Sequence, residues 1–216
     1  MSQRSRPKTL GKMQGEHRDW QKRNFPDTGV LELTLGVGEE LGELAEAGQN
    51  GGYGCAEGID AMADMVIYLM GVSNAVGFDL WEAAKANEPD WSVALDYLWN
   101  GRGLNILPEH DAGQQFQNLV SLVGQLQHGV LKASQQIRNH EDHLATIQGA
   151  AGGVVMQLMM LYATVNDSVM QEVMGRADMR SGGLTFGESL DAIWSKKVSK
   201  RDWIANPDTA HEETTT

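Results

Sequence analysis

The 216-residue chain holds a single cysteine, Cys55, and only five prolines. One thiol excludes an internal disulfide and fits a reducing compartment, so a cytoplasmic protein is expected. Basic residues are few: 17 Lys and Arg stand against 29 Asp and Glu, a formal charge of −12. That deficit excludes a broad contact with a nucleic-acid polymer, whose affinity comes mostly from cations on phosphate. A small nucleotide remains admissible, because a bound divalent cation reverses the local sign. The most apolar segment, Gly152 to Val165, is shorter than a bilayer span and contains Gln157, so no membrane partner is expected. Residues Met1 to Gln14 carry Arg4, Arg6, Lys8 and Lys12 with no apolar stretch behind them, which reads as a loose basic tail and not a secretory signal. No Walker-type Gly-Lys-Ser/Thr occurs.

What the chain does have is helical periodicity. Val30 to Gly48 keeps Val37, Leu41 and Leu44 on one stripe. The breaker Gln49-Asn50-Gly51-Gly52-Tyr53-Gly54 separates it from a second helix over about 56–76, which stops at Gly77. Shorter helices follow near 80–87 and 91–100 around Pro89. Asn100-Gly101-Arg102-Gly103 and Pro108 then read as a linker. Phe116, Leu119, Val120, Val123, Leu126 and Val130 stripe a long helix to about Arg138, a third long helix covers His143 to Val165, and Leu184 to Trp203 closes the chain. Only Leu31 to Leu35 could pass for a strand. The fold class is all-α.

A faint duplication runs through this pattern. Val123-Gly124-Gln125-Leu126-Gln127-His128 echoes Val37-Gly38-Glu39-Glu40-Leu41-Gly42-Glu43, and Gly153 to Tyr162 echoes Asp64 to Met70. Gln, His and Gly stand in the second half where the first has carboxylates. The organisation expected is a tail over 1–13, a metal-binding helical unit over 14–105, a second helical unit over 106–204 that is either a degenerate repeat or an insertion plus closing helix, and an acidic tail over 205–216.

Two acidic clusters on consecutive helices carry the chemistry. The first is Glu39-Glu40-Leu41-Gly42-Glu43; the second spans Glu57, Asp60 and Asp64. At about 100° per residue, Glu40 and Glu43 share one helix face, as do Glu57, Asp60 and Asp64. A tight Gly-rich connection makes an antiparallel hairpin and sets the rows face to face. Such crowding is unfavourable without a cation, and hard oxygen donors lacking thiolates favour Mg²⁺, with Mn²⁺ possible, over zinc.

These residues resemble a known family. Leu35-Gly36-Val37-Gly38-Glu39-Glu40-Leu41-Gly42-Glu43-Leu44-Ala45-Glu46-Ala47 is similar to the first signature of the MazG-like all-α nucleoside triphosphate pyrophosphohydrolases, and Asp60-Ala61-Met62-Ala63-Asp64-Met65-Val66-Ile67-Tyr68-Leu69 to the second. The resemblance implies a helical bundle in which Glu40, Glu43 and Asp64 hold Mg²⁺ against a triphosphate, releasing monophosphate and diphosphate. The usual Glu three residues before Asp64 is Ala61, so Asp60 or Glu57 completes the set, with Asp60 preferred. Glu39, Glu43 or Glu57 serves the attacking water. Trp20, Tyr68, Lys85, Lys196, Lys200 and Arg201 are candidate nucleotide contacts, with Arg102 a weaker one, and a homodimer or higher homo-oligomer is implied. A dimeric all-α dUTPase-like enzyme and a catalytically inert helical interaction protein are the alternatives. Gly36-Val37-Gly38-Glu39-Glu40-Leu41-Gly42 is no dinucleotide loop, its third Gly falling one place late. His140 and His143 lack zincin spacing.

Overall fold

The computed structural model describes residues 7–87, 92–100, 111–174, 184–196 and 198–201. Among them are eight α-helices and no strand: α1 (Leu10–Asn24), α2 (Val30–Asn50), α3 (Ala56–Val76), α4 (Leu80–Asn87), α5 (Ser92–Asn100), α6 (Ala112–Gln135), α7 (His143–Met174) and α8 (Phe186–Lys196), followed by a 3-10 turn at Val198–Lys200. Local chemistry fixes their ends. Thr9 Oγ1 accepts from the Lys12 amide at the start of α1. Gly77, at φ +95°, closes α3 in the left-handed conformation that glycine adopts without steric cost. A reciprocal capping pair opens α8: Thr185 Oγ1 accepts from the Glu188 amide at 3.0 Å, and Glu188 Oε2 accepts from the Thr185 amide at 2.8 Å.

Four long helices form the centre. Two antiparallel hairpins, α2–α3 and α6–α7, pack with α2 against α6 and α3 against α7. The shorter helices α1, α4, α5 and α8 cover α3 and α7. One continuous hydrophobic cluster runs from Leu10 to Trp194 through both hairpins, so the two expected units share a core. By length and composition α3 and residues 143–166 of α7 could cross a bilayer, yet 61% and 67% of their most apolar windows are buried among the other helices. The bundle itself consumes those apolar faces.

Two expectations need correction, on the N-terminal tail and on the length of the closing helix. The N-terminal segment is not loose from residue 8 onward, because Leu10 and Met13 are buried in α1. Lys8 is held from several sides: its amide donates to Asp191, its ammonium to Glu16 and Ser195, and its carbonyl accepts from Trp99 Nε1. Leu31 to Leu35, the one stretch that could pass for a strand, is helix as the all-α reading requires, since the amphipathic stripe of α2 starts at Val30. The closing helix ends at Lys196. Residues 1–6, Pro89, the 101–110 linker with Arg102, Trp203 and the acidic tail lie outside the described residues.

The two hairpins repeat one burial pattern. Leu33, Val37, Glu40 and Leu44 are the buried face of α2; Leu119, Val123, Leu126 and Val130 repeat that spacing on α6. In the first hairpin Leu33 meets Gly71, and Gly36 meets Tyr68. In the second, Leu122 meets Gly153, and Gly129 meets Ile147. This sets the Gly149–Ala150 step, not Gly153, at the place of Asp64, and Leu126 at the place of Glu40.

Close approach of α4 to α7 depends on Gly152, where an added Cβ would strike the Ala83 carbonyl, a backbone atom that cannot swing away. Gly149, one turn earlier, has open space around it. Gly152→Ala therefore destabilises the fold, whereas Gly149→Ala stabilises it by up to about 1 kcal/mol through helix propensity. Urea denaturation of the two variants checks this pair of opposite signs.

Candidate metal centre

The register of the first hairpin builds the site. With Gly36 beside Tyr68, one further turn along each antiparallel helix sets Glu40 across from Asp64, and the next brings Glu43 toward Asp60. Gly36 is required here, because the Tyr68 ring occupies the space where a Cβ would stand. Glu40 is only 9% exposed and faces the core, while Asp60 and Asp64 are half-buried and Glu39 and Glu43 are exposed.

Electrostatics follow from this placement. Burial, then the charges of Asp64, Glu43, Glu39 and Asp60 in that order, push the Glu40 carboxyl up to about 8. Burial and the same neighbourhood, led by Glu40 and Glu39, also raise the Tyr68 hydroxyl. Four acidic neighbours thus act on one buried acid.

The donor chemistry of this set fits a hard divalent cation, and so does its placement on two rigid helices. The side chains are not drawn to a common point, however. Among the described residues, no group of three or more His, Cys, Asp or Glu side chains closes tightly enough to hold a metal ion.

Other expected site residues divide clearly. Glu57 is fully exposed at the N-terminus of α3, where its carboxylate accepts from its own amide and from the Cys55 thiol, which lowers its pKa. It is not among the charges acting on Glu40, so the geometry supports Asp60 over Glu57. Tyr68 stands beside the carboxylates. Trp20 does not offer an open face: it is 7% exposed and packed among His17, Phe25 and Trp194, and its indole N–H donates to the Arg201 carbonyl. The reading of Trp20 as a nucleobase platform gives way to a core role. Lys85 lies on α4, paired with Glu82 at 2.7 Å, and the other charges acting on it are Asp96 and Asp79. It is not brought to the carboxylate rows. Lys196 and Lys200 are exposed at and just beyond the end of α8, and Arg201 is half-buried behind them.

One feature escaped the sequence reading. The stripe drawn through Val37, Leu41 and Leu44 leaves out Glu40, yet Glu40 takes the core position and Leu41 is only half-buried. The signal was present in the duplication, where Leu126 fills that position. Gln125 is exposed at the place of the equally exposed Glu39, while His128 turns to Glu141 at 3.9 Å.

No protein-family model, curated protein or solved structure matches the chain.

The site makes stability depend on pH with a defined sign. Unfolded, Glu40 loses its proton near 4.5; folded, it keeps it to about 8. Its contribution is full below 4.5 and is lost as pH rises through 8. His17 works in the opposite direction. Burial lowers it from 6.5 to about 4, so the folded state binds fewer protons between those values and stability falls on acidification. The two slopes oppose between pH 4.5 and 6.5. We expect Glu40→Leu to raise stability at pH 8 and to unmask the His17 slope. His17→Gln should leave stability rising as pH falls from 8. Urea midpoints across pH for the three proteins measure both slopes.

Proposed function

We propose that the chain is an Mg²⁺-dependent nucleoside triphosphate pyrophosphohydrolase, converting a ribo- or deoxyribonucleoside triphosphate and water to the monophosphate and diphosphate. The observation that carries the proposal is Glu40, a carboxyl set in a leucine-type core position and surrounded by Asp64, Glu43, Glu39 and Asp60. A bundle gains no stability from such an arrangement. A hydrolase gains a ligand set, and both helices that carry it resemble the signatures quoted above, with Ala61 the departure.

When bound, Mg²⁺ would neutralise the phosphate oxygens and lower the pKa of a water. Glu40, Glu43, Asp60 and Asp64 are the residues that would hold it. Glu39, exposed next to Glu40, orients the attacking water and takes its proton as the water oxygen bonds to the α-phosphorus and the bond to the bridging oxygen breaks, releasing diphosphate. Glu43 stands close enough to share this role. Tyr68, with its ring packed over Gly36 and its hydroxyl near the acidic set, lines the nucleotide side of the site. Because Leu126 and the Gly149–Ala150 step fill the equivalent places in the second hairpin, the described residues offer one such site.

Diphosphate release from a panel of nucleoside triphosphates, with and without Mg²⁺, tests the proposal. Turnover across several bases is expected; turnover of dUTP alone identifies the narrower dUTPase-like enzyme, and none identifies an inert bundle. Glu43→Gln and Asp64→Asn each should lower turnover by at least about a hundredfold with the helical circular dichroism unchanged. Full activity in both variants rejects the assigned residues.

A further inference from the structure

The connection between α6 and α7 carries His140 and His143 on either side of Glu141, and the fold brings His128 of α6 to the same place. Three of the chain's six histidines thus gather at one turn. The antiparallel return of α7 makes this meeting, which spacing along the chain does not show. His128 Nε2 stands 3.9 Å from Glu141 Oε2, and His140 Nε2 stands 3.8 Å from Glu141 Oε1. Both separations exceed a hydrogen bond, so neither contact commits its imidazole to the carboxylate. Arg138 Nη1, 3.5 Å from Glu141 Oε1, competes for that oxygen, and an exposed pair of this kind holds weakly.

The backbone beneath these side chains is well fixed. The Glu141 amide donates to the Arg138 carbonyl and the His143 amide to the Glu141 carbonyl, while the Asp142 carboxylate caps α7 through the Ala145 amide. Gln136 and Arg138, at φ +53° and +56°, hold left-handed conformations that cost a non-glycine residue energy. His143 Nε2 donates to the Ile137 carbonyl at 2.9 Å, which pins the turn and fixes that ring's tautomer. Imidazole nitrogen with carboxylate oxygen is a donor set for zinc, whereas Mg²⁺ takes oxygen. Neighbouring ligand atoms around a tetrahedral Zn²⁺ stand about 3.4 Å apart. The group is open as it stands, and about half an ångström of closure at each contact brings it to that spacing. His128, His140 and Glu141 have side chains 46%, 81% and 35% exposed, so nothing packed against them opposes the movement.

We propose that His128, His140 and Glu141 bind one Zn²⁺ ion at the α6–α7 turn, with a water completing the tetrahedron. The ion ties α6 to the start of α7. This site lies on the other hairpin from the carboxylate rows and does not depend on the proposed activity. Calorimetric titration of the untagged full chain with ZnCl₂, in excess Mg²⁺, should show one site per chain. Zn²⁺ should also raise the urea midpoint, because the ligands meet only in the folded state. His128→Ala and His140→Ala should each weaken binding by at least about tenfold and abolish that rise, with the circular dichroism unchanged. Glu43→Gln with Asp64→Asn, which strips the carboxylate rows, should leave zinc uptake intact. No zinc binding up to millimolar concentration, binding indifferent to both histidine variants, or binding lost with the carboxylate rows would each overturn the inference.

Discussion

The structure turns on one unfavourable placement: a carboxyl group, Glu40, at a position where the bundle calls for a hydrocarbon. The repeated hairpin supplies the comparison within the same chain. Leu126 is fully buried at the matching position of α6, where it packs as an ordinary core residue. In α2 that place is taken by an acid whose proton is retained to about 8 by burial and by like charges. Desolvation and repulsion act in the same direction here, so the folded protein without a cation favours the neutral form. On the proposed function, such a site trades stability for chemistry.

The rest of the fold holds that site still. Tyr68 seats on Gly36 and fixes the register of α2 against α3. Behind α3, the aromatic set of His17, Trp20 and Trp194 ties α1 to α8, and the Lys8 ammonium fastens the N-terminal segment to Glu16 and Ser195. The second hairpin contributes core and no carboxylate row. With Leu126 at the place of Glu40, it packs as hydrocarbon behind the first hairpin.

Much of this was legible in the sequence. The Gly-rich breaker and Gly77 marked the hairpin ends of α2 and α3 because backbone conformation at those points depends on local residue type. The acidic rows were legible because helical geometry is regular. What periodicity could not resolve was a one-residue ambiguity in the α2 stripe, where Leu41 and Glu40 compete for the core and tertiary packing decides for Glu40. Trp20 was misplaced for a related reason: an amphipathic aromatic reads alike in a core and at a binding face, and the partner that buries it, Trp194, lies far away in sequence. The nine residues from Thr9 to His17 carry too few apolar groups to announce a helix alone, and they fold because Leu10 and Met13 find the core.

The central claim is that Glu40 is a protonated buried acid awaiting a divalent cation, and proton release measures it directly. Titrating Mg²⁺ calorimetrically at pH 7 in buffers of different ionisation enthalpy counts the protons displaced on binding. The account predicts release of close to one proton at pH 7, vanishing above about pH 9 and absent in Glu40→Gln. Binding with no proton release at pH 7, or no magnesium uptake by the wild-type protein at either pH, would contradict it.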